Sequence, residues 1–272
     1  MGSSVIFAIA FSILVAFFWL RWFRKKDKYE KEPERLIYIA FFAGVLATAP
    51  SLLLESIFRL RDQDPTVVLR DLFLSFLWVG IVEEFFKYLA VRLTVYRSKE
   101  FNEVMDGMIY MVSAALGFAA TENVGYMLGF GYAVAFPRAI LSYLAHISFS
   151  AILGFYMGKA KIEGKKNWIF VGFIFAVPLH CLYNSFLVLG TAQTSGGFLL
   201  LGLIVWVFGL ILTLVLVKRA QEISPFRVAH ILPKKLTKQC QACGKTVSSK
   251  ALICHHCGES LTLDEEEVTL KV

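Results

Sequence analysis

The apolar residues of this chain come in unbroken runs about as long as a lipid bilayer is thick, and no other feature narrows the possible folds so far. Seven runs stand out, at about 3–23, 36–57, 67–96, 106–128, 136–158, 168–190 and 197–217, each near or above the roughly 20 residues a helix needs to cross. In lipid the backbone must satisfy its own hydrogen bonds, so each run is expected to be helical. Composition agrees: 57% of the 272 residues are hydrophobic and 18% are charged, against about 45–50% and 25% in a soluble domain. Too little polar surface is left to cover a soluble enzyme, and a disordered chain or a secreted disulfide scaffold is excluded with it. The expected fold is all-α: a polytopic membrane bundle of about seven transmembrane helices over residues 1–220. A linker at 221–238, a small zinc ribbon at 239–260 and an acidic tail at 261–272 follow.

The loops set the expected orientation. Arg21, Arg24, Lys25 and Lys26 close the first run as a stop-transfer cluster, so that run reads as a retained span and not as a cleaved leader. Arg97–Lys99, the Lys159–Lys166 connection and the segment after Lys218 are basic too, whereas the alternate loops hold little beyond Arg59 and Arg61. Basic loops stay in the cytoplasm. This predicts a multi-pass protein of the cell membrane with its N-terminus outside and its C-terminus in the cytoplasm. The net charge of +7 is then a topology signal. It leaves no free basic surface for nucleic acid.

The tail carries Cys240-Gln-Ala-Cys243, ten residues, and Cys254-His-His-Cys257. Two C-x2-C pairs at this separation can set four thiolates tetrahedrally around one structural zinc. Gly244 and Gly258 each follow a pair, where a tight turn aims backbone N–H groups at sulfur. So short a segment has no core of its own, so metal would supply its folding energy and a cytoplasmic protein is a natural partner. His255 and His256 read as surface residues, not ligands, and Cys181 in the sixth run as packing.

The strongest functional signal is the set of ionisable residues that lipid should exclude. The third run holds Glu83-Glu84-Phe-Phe-Lys87, the fourth Glu122-Asn123-Val-Gly-Tyr126, the fifth His146, and the sixth His180-Cys-Leu-Tyr-Asn184. A charge at mid-bilayer costs about 2.5–3.5 kcal/mol even on a lenient scale, so these groups must face one another. Depth supports this, because Glu83, Glu84, His146 and His180 all fall near mid-span, with Glu122 about 7 Å toward the outer face at about 1.5 Å per residue. Lys87 lies four residues after Glu83 and three after Glu84, and pairing with one of the two is expected.

Such a set points to hydrolysis. A carboxylate there can take a proton from water and return it to a leaving amine. Imidazole and carboxamide donors can hold the oxyanion of an attacked carbonyl. No H-E-x-x-H, no mid-span aspartate pair and no Gly-x-Ser-x-Gly elbow offers another protease design. Three alternatives stay open: a metal held by glutamate and the two histidines, a proton-coupled transporter using the set as a relay, and a non-catalytic scaffold acting through the ribbon.

At these residues the chain resembles the PrsW family of intramembrane glutamic-type proteases, within the superfamily that includes the CAAX-prenyl endopeptidases. Glu83-Glu84-x-x-Lys87, Glu122-Asn123-x-x-Tyr126, His146 and His180-x-x-x-Asn184 match in the family's order over about residues 1–220. The resemblance implies that a glutamate of the pair activates water, that His180 and Asn184 stabilise the oxyanion, and that His146 positions water or substrate. Lys87, Glu122, Asn123 and Tyr126 would support them, with no cofactor in the catalytic site. The implied substrate is a single-pass membrane protein of the anti-sigma-factor kind. A lysine three residues after the pair, where prenyl endopeptidases carry an arginine four residues on, departs from those enzymes.

Overall fold

In a computed structural model of the chain, seven long helices follow one another: α1 (Gly2–Arg24), α2 (Glu34–Ile57), α3 (Leu69–Thr94), α4 (Val104–Phe130), α5 (Ala135–Ile162), α6 (Asn167–Ala192) and α7 (Gly196–Glu222). A short 3-10 turn, Tyr132–Val134, joins α4 to α5. The structure describes residues 2–57, 69–192, 196–227, 237–248 and 251–261, and within α3 the side chains from Phe76 onward. Arg59, Arg61, the Asp71 side chain, Pro233 and most of the linker and acidic tail lie outside the described residues.

The chain is an all-α membrane bundle with one helix for each apolar run. Six helices are long and apolar enough to cross a membrane. The seventh, α3, carries Glu83, Glu84 and Lys87 in its middle, and its own composition is too polar. It can be a spanning helix only if its neighbours cover those charges.

Burial orders the bundle. The apolar stretch of α4 is 94% buried and that of α5 83%, whereas those of α1 and α7 are 22% buried. The two central helices are therefore the core, and α1 and α7 lie at its periphery, α1 mainly against α4 and α7 against α5 and α6. Small residues make the centre possible. A Cβ on Gly154 of α5 would overlap the Gly107 carbonyl of α4, and one on Gly158 would press on Val104. On the other side of α4, Gly117 meets the backbone of Phe41, and Gly44 meets that of Ala114. The backbones approach where side chains are missing, and α2, α4 and α5 close into one slab. Against this slab α3 packs between α2 and α6.

Local chemistry fixes several ends. The backbone N–H groups of Asn102 and Glu103 both donate to Asp106 Oδ2 at 2.7 Å, a cap that starts α4. Gly131, at a φ of 86°, ends it. Strands β1 (Thr237–Gln239) and β2 (Thr246–Ser248) pair antiparallel, with Lys238 opposite Val247. The small hairpin sits against the end of the bundle where the α1–α2 and α3–α4 loops meet. There Lys245 Nζ reaches Glu30 at 2.5 Å and Glu100 at 3.7 Å, and His256 Nδ1 reaches Glu30 at 3.0 Å. The Phe226 ring stacks on His256 at 4.5 Å. His256 is thus a docking residue and not the plain surface residue expected from sequence.

Valine at Gly154 would force α4 and α5 apart. Gly154→Val is expected to lower the thermal midpoint of the detergent-purified protein by about 5–10 °C, as overpacking does. The same change at Gly125, whose Cβ direction is open, should leave it near the wild-type value.

Candidate active site

Four helices deliver one polar cluster. Lys87 Nζ lies 3.0 Å from Glu83 Oε2, 2.9 Å from Glu84 Oε1 and 2.9 Å from Nδ1 of His146 on α5. Glu83, Glu84 and Lys87 of α3 are all buried, Lys87 and Glu84 at 0% exposure. The expectation that Lys87 would satisfy one carboxylate is corrected: the two glutamates, about 100° apart around the helix, both reach it. A long flexible ammonium presents three donors. Here all three are used, which a shorter or planar cation would not manage at this position.

The imidazoles are held from behind. His180 on α6 places Nδ1 3.1 Å from Glu84 Oε1 and Nε2 3.7 Å from Glu83 Oε2. A carboxylate only accepts, so the His180 Nδ1–H donates to Glu84 and the Nε2 lone pair faces Glu83. His146 is arranged in the opposite sense. Its Nδ1 accepts from the Lys87 ammonium, and its Nε2 lies 2.9 Å from Glu122 Oε2 on α4, an ion-pair distance. The two rings meet edge-on at 5.6 Å. Three atoms that accept and do not donate, Glu83 Oε2, His146 Nδ1 and His180 Nε2, therefore converge. These three side chains offer ligand atoms within 4.8 Å of one another.

Around this centre lie groups the sequence motifs did not flag. Ser150 Oγ donates to Glu84 Oε2 at 2.8 Å; its place four residues after His146 was the available signal. Arg138, near the start of α5, donates to Asn123 Oδ1 and to Ser142 Oγ at 3.2 Å, and sits 3.9 Å from Glu122 Oε2. Its guanidinium lies 3.5 Å over the Tyr126 ring. Asn123 and Tyr126 thus serve the site through Arg138. Glu55, near the end of α2, is close enough to Glu83 and Glu122 to feel their charge, and its Oε1 accepts from Ser51 at 2.6 Å. Phe118 supplies an aromatic face 4.6 Å from Lys87 Nζ. Asn184 stands one turn past His180, half-buried, without a hydrogen bond into the cluster among the described residues.

A profile described as "PrsW family intramembrane metalloprotease" matches residues 32–215. The chain belongs to the PrsW family. It is 33% identical to Protease PrsW of Bacillus subtilis (strain 168) over 196 residues, covering 70% of this chain and 87% of that one. With Protease PrsW of Geobacillus kaustophilus (strain HTA426) it shares 36% over 167 residues, 61% of this chain and 72% of the relative. With that of Shouchella clausii (strain KSM-K16) it shares 30% over 205 residues, 75% and 90%. No solved structure matches the chain. It is thus a member of a membrane protease family, and all four helices that build the cluster fall inside the matched span.

Beyond the PrsW region, the four tail cysteines also converge. Cys240 Sγ lies 3.6 Å from Cys257 Sγ, and Cys243 Sγ lies 3.7 Å from Cys254 Sγ. Those are thiol separations, not bonds. They come close to the roughly 3.8 Å edge of a tetrahedron with metal–sulfur distances of about 2.3 Å. Gly244 and Gly258 adopt φ of 70° and 79° in the expected tight turns, but their own N–H groups return to the Cys240 and Cys254 carbonyls and not to sulfur. Cys181 is buried, as packing requires.

Lys87→Ala would leave two carboxylates buried without a cation. The expected loss is about 3–5 kcal/mol, seen as a fall in the thermal midpoint. Adding Glu84→Gln to Lys87→Ala should restore part of that loss.

Proposed function

We propose that this PrsW protein is an intramembrane endopeptidase whose reacting centre is Glu83, His146 and His180. It would cut a single-pass membrane protein of the anti-sigma-factor kind. The observation that carries this reading is the convergence of those three acceptor atoms at mid-bundle, with a carboxylate behind each imidazole. Carboxylate-backed histidines are how proteins orient imidazole toward a cation. Their separations of 3.7 and 3.9 Å from Glu83 Oε2 compare with about 3.3–3.4 Å between tetrahedral ligands at about 2.0–2.1 Å. The donor set fits a divalent metal such as zinc, which favours the alternative the sequence kept open over a cofactor-free site.

A metal held by Glu83, His146 and His180 would polarise the scissile carbonyl and acidify water. The protein's own residues do the rest. Glu84 Oε1, between Lys87 Nζ and His180 Nδ1, takes the proton from water and returns it to the leaving amine. Glu84 and Glu122 keep the two rings turned inward, and Arg138 holds Glu122 in place. The Asn184 amide, not engaged by the cluster, is available to donate to the carbonyl oxygen as negative charge develops. Glu122, Arg138 and Glu55 lie toward the end of the bundle away from the ribbon, the outer side by the basic-loop rule. Cleavage in the outer half of the bilayer follows.

A second reading rests on the Lys87 ammonium, which already supplies a positive charge between Glu83, Glu84 and His146. In that case no metal is needed, Glu83 is the base, and the site is glutamic-type. In either case the four tail cysteines would hold one structural zinc, with the ribbon docking on the membrane domain and recruiting a cytoplasmic partner.

The two readings separate on metal content and turnover. In a reconstituted cleavage assay, Glu84→Gln and His180→Ala are each expected to lower cleavage at least about 10³-fold while the protein still inserts. Full activity in both would end the peptidase reading. By elemental analysis the wild type should carry about two metals per chain, Glu83→Gln about one, and Glu84→Gln about two. Loss of one metal in Cys240→Ser with none lost in Glu83→Gln would leave the lysine-based reading.

A further inference from the structure

One hydroxyl in the membrane site points away from its ordinary acceptor. In a buried helix a serine or threonine O–H commonly bonds the carbonyl one turn back. Thr48, Ser113 and Ser148 follow that habit, donating to the carbonyls of Gly44, Ile109 and Leu144 at 3.2, 2.7 and 2.7 Å. Ser150, two residues after Ser148 and 0% exposed, crosses to α3 instead and meets Glu84 Oε2 at 2.8 Å. It ends a run of four polar residues spaced four apart on α5: Arg138, Ser142, His146 and Ser150. Residues so spaced share one side of a helix, so the stripe that delivers His146 delivers this hydroxyl too.

The two oxygens of Glu84 have separate partners. Oε1 takes Lys87 Nζ at 2.9 Å and His180 Nδ1 at 3.1 Å, and Oε2 takes Ser150. Two contacts on one oxygen fix where that oxygen sits but leave the carboxylate plane free to turn about it, and the terminal torsion of glutamate is broad. A third contact, on the other oxygen, fixes the plane. With it is fixed the angle at which Glu84 faces the Glu83–His146–His180 centre.

The direction of the bond follows from charge. Glu84 pairs with the Lys87 ammonium as a carboxylate, which only accepts, so Ser150 is the donor. The buried acids at the ribbon-bearing end are of another kind. Asp27, Glu32, Glu103 and Asp106 are 3% exposed or less, and none has an ion pair among the described residues. Burial raises Asp27 to about 6, Glu32 to about 7 and Glu103 to about 8, so protons do there part of what Lys87 does in the membrane.

We propose that Ser150 is a positioning residue for peptide hydrolysis, its hydroxyl locking the orientation of the Glu84 carboxylate. This rests on the reading above in which Glu84 exchanges protons with water and the leaving amine. Ser150 reaches the reacting centre through Glu84. A working group has to be held within about 10–20° of its productive geometry. Outer partners that orient the groups of a metal site are worth about 10–100-fold in activity. Ser150→Ala keeps the carboxylate, its charge and both of its nitrogen partners, and frees only its plane.

The test is cleavage by the full chain in liposomes, with a single-pass transmembrane peptide that the wild type cuts as substrate. The parameters kcat and KM are measured separately, and metal content on the same preparations. Ser150→Ala is expected to lower kcat about 10–100-fold, with KM within about 2-fold of wild type and metal content unchanged. Ser148→Ala, which loses a hydroxyl bonded within its own helix, should match the wild type. Ser150→Thr keeps the donor and should recover most of kcat. Because the threonine methyl must fit a fully buried position, a double variant gives a second measure. Added to Glu84→Gln, Ser150→Ala should change the residual rate by less than about 2-fold, since no carboxylate is left to orient. A wild-type kcat in Ser150→Ala would overturn the proposal. A loss as large as that of Glu84→Gln would also overturn it, by making the hydroxyl a reacting group. A loss carried by KM or by metal content would overturn it in favour of a structural role. Full activity of Glu84→Gln is a separate result, which would remove the underlying reading and this proposal with it.

Discussion

The Lys87 ammonium is the pivot of the membrane domain. In a medium where an unpaired charge costs several kcal/mol, α3 carries three charged side chains at mid-height. It can occupy that depth because one cation at 0% exposure meets Glu83, Glu84 and His146 within 3.0 Å. That requirement fixes the rotation of α3 about its axis and presses it against α5 and α6. The glycine contacts that draw α2, α4 and α5 together belong to the same requirement. They bring His146 and Glu122 to the depth where the α3 charges sit.

Charge satisfaction and chemistry are then the same geometry seen twice. Each buried imidazole needs a polar partner at its outer nitrogen, and Glu84 and Glu122 stand there. Meeting that need turns the other nitrogen of each ring toward Glu83. A network built solely for stability would be replaceable by apolar packing at little cost, often at a gain. The His146 Nδ1 lone pair is taken by the Lys87 ammonium, whereas the His180 Nε2 lone pair, 3.7 Å from Glu83 Oε2, gains nothing for the fold. In the reading proposed above, these are the atoms that would bind.

Much of this was legible in the sequence, and the remainder was not for definite reasons. Bilayer-length runs gave all seven helices, because span length and hydropathy are local properties. The ribbon turns were visible because both C-x2-C pairs and their glycines are contiguous. The four polar motifs predicted convergence, because lipid leaves them no alternative. Partner choice was less accessible. Helical phase says which face a residue occupies, not what stands opposite, so the double bridge of Lys87 and the Arg138 clamp on Asn123 and Tyr126 went unseen. Ser150 was readable from its i,i+4 spacing to His146 but looks like any small residue in a packed helix. The acids at the ribbon end were hidden for another reason. They lie in loops and helix starts, where charge is ordinarily solvated, and the folded chain alone buries them. His256 was misjudged similarly, since nothing local announces that a tail will dock on Glu30.

The two charged clusters differ in a way that bears on how each is completed. The membrane site sets two cations, Lys87 and Arg138, among three carboxylates, Glu83, Glu84 and Glu122, so most of its charge is offset internally. A divalent ion entering there must contend with Lys87, which already occupies the lone pair of His146 Nδ1 and one side of Glu83 Oε2. Glu84 remains a partner for the ammonium, so the proposed metal would have to take Glu83 and leave Lys87 to Glu84. The acids at the ribbon end have no internal cation to displace. Their balance has to come from the aqueous phase, as protons such as the one shared between Glu32 and Asp106. The membrane site carries its own counter-charge and the loop cluster borrows one, as expected of two clusters that differ in access to water.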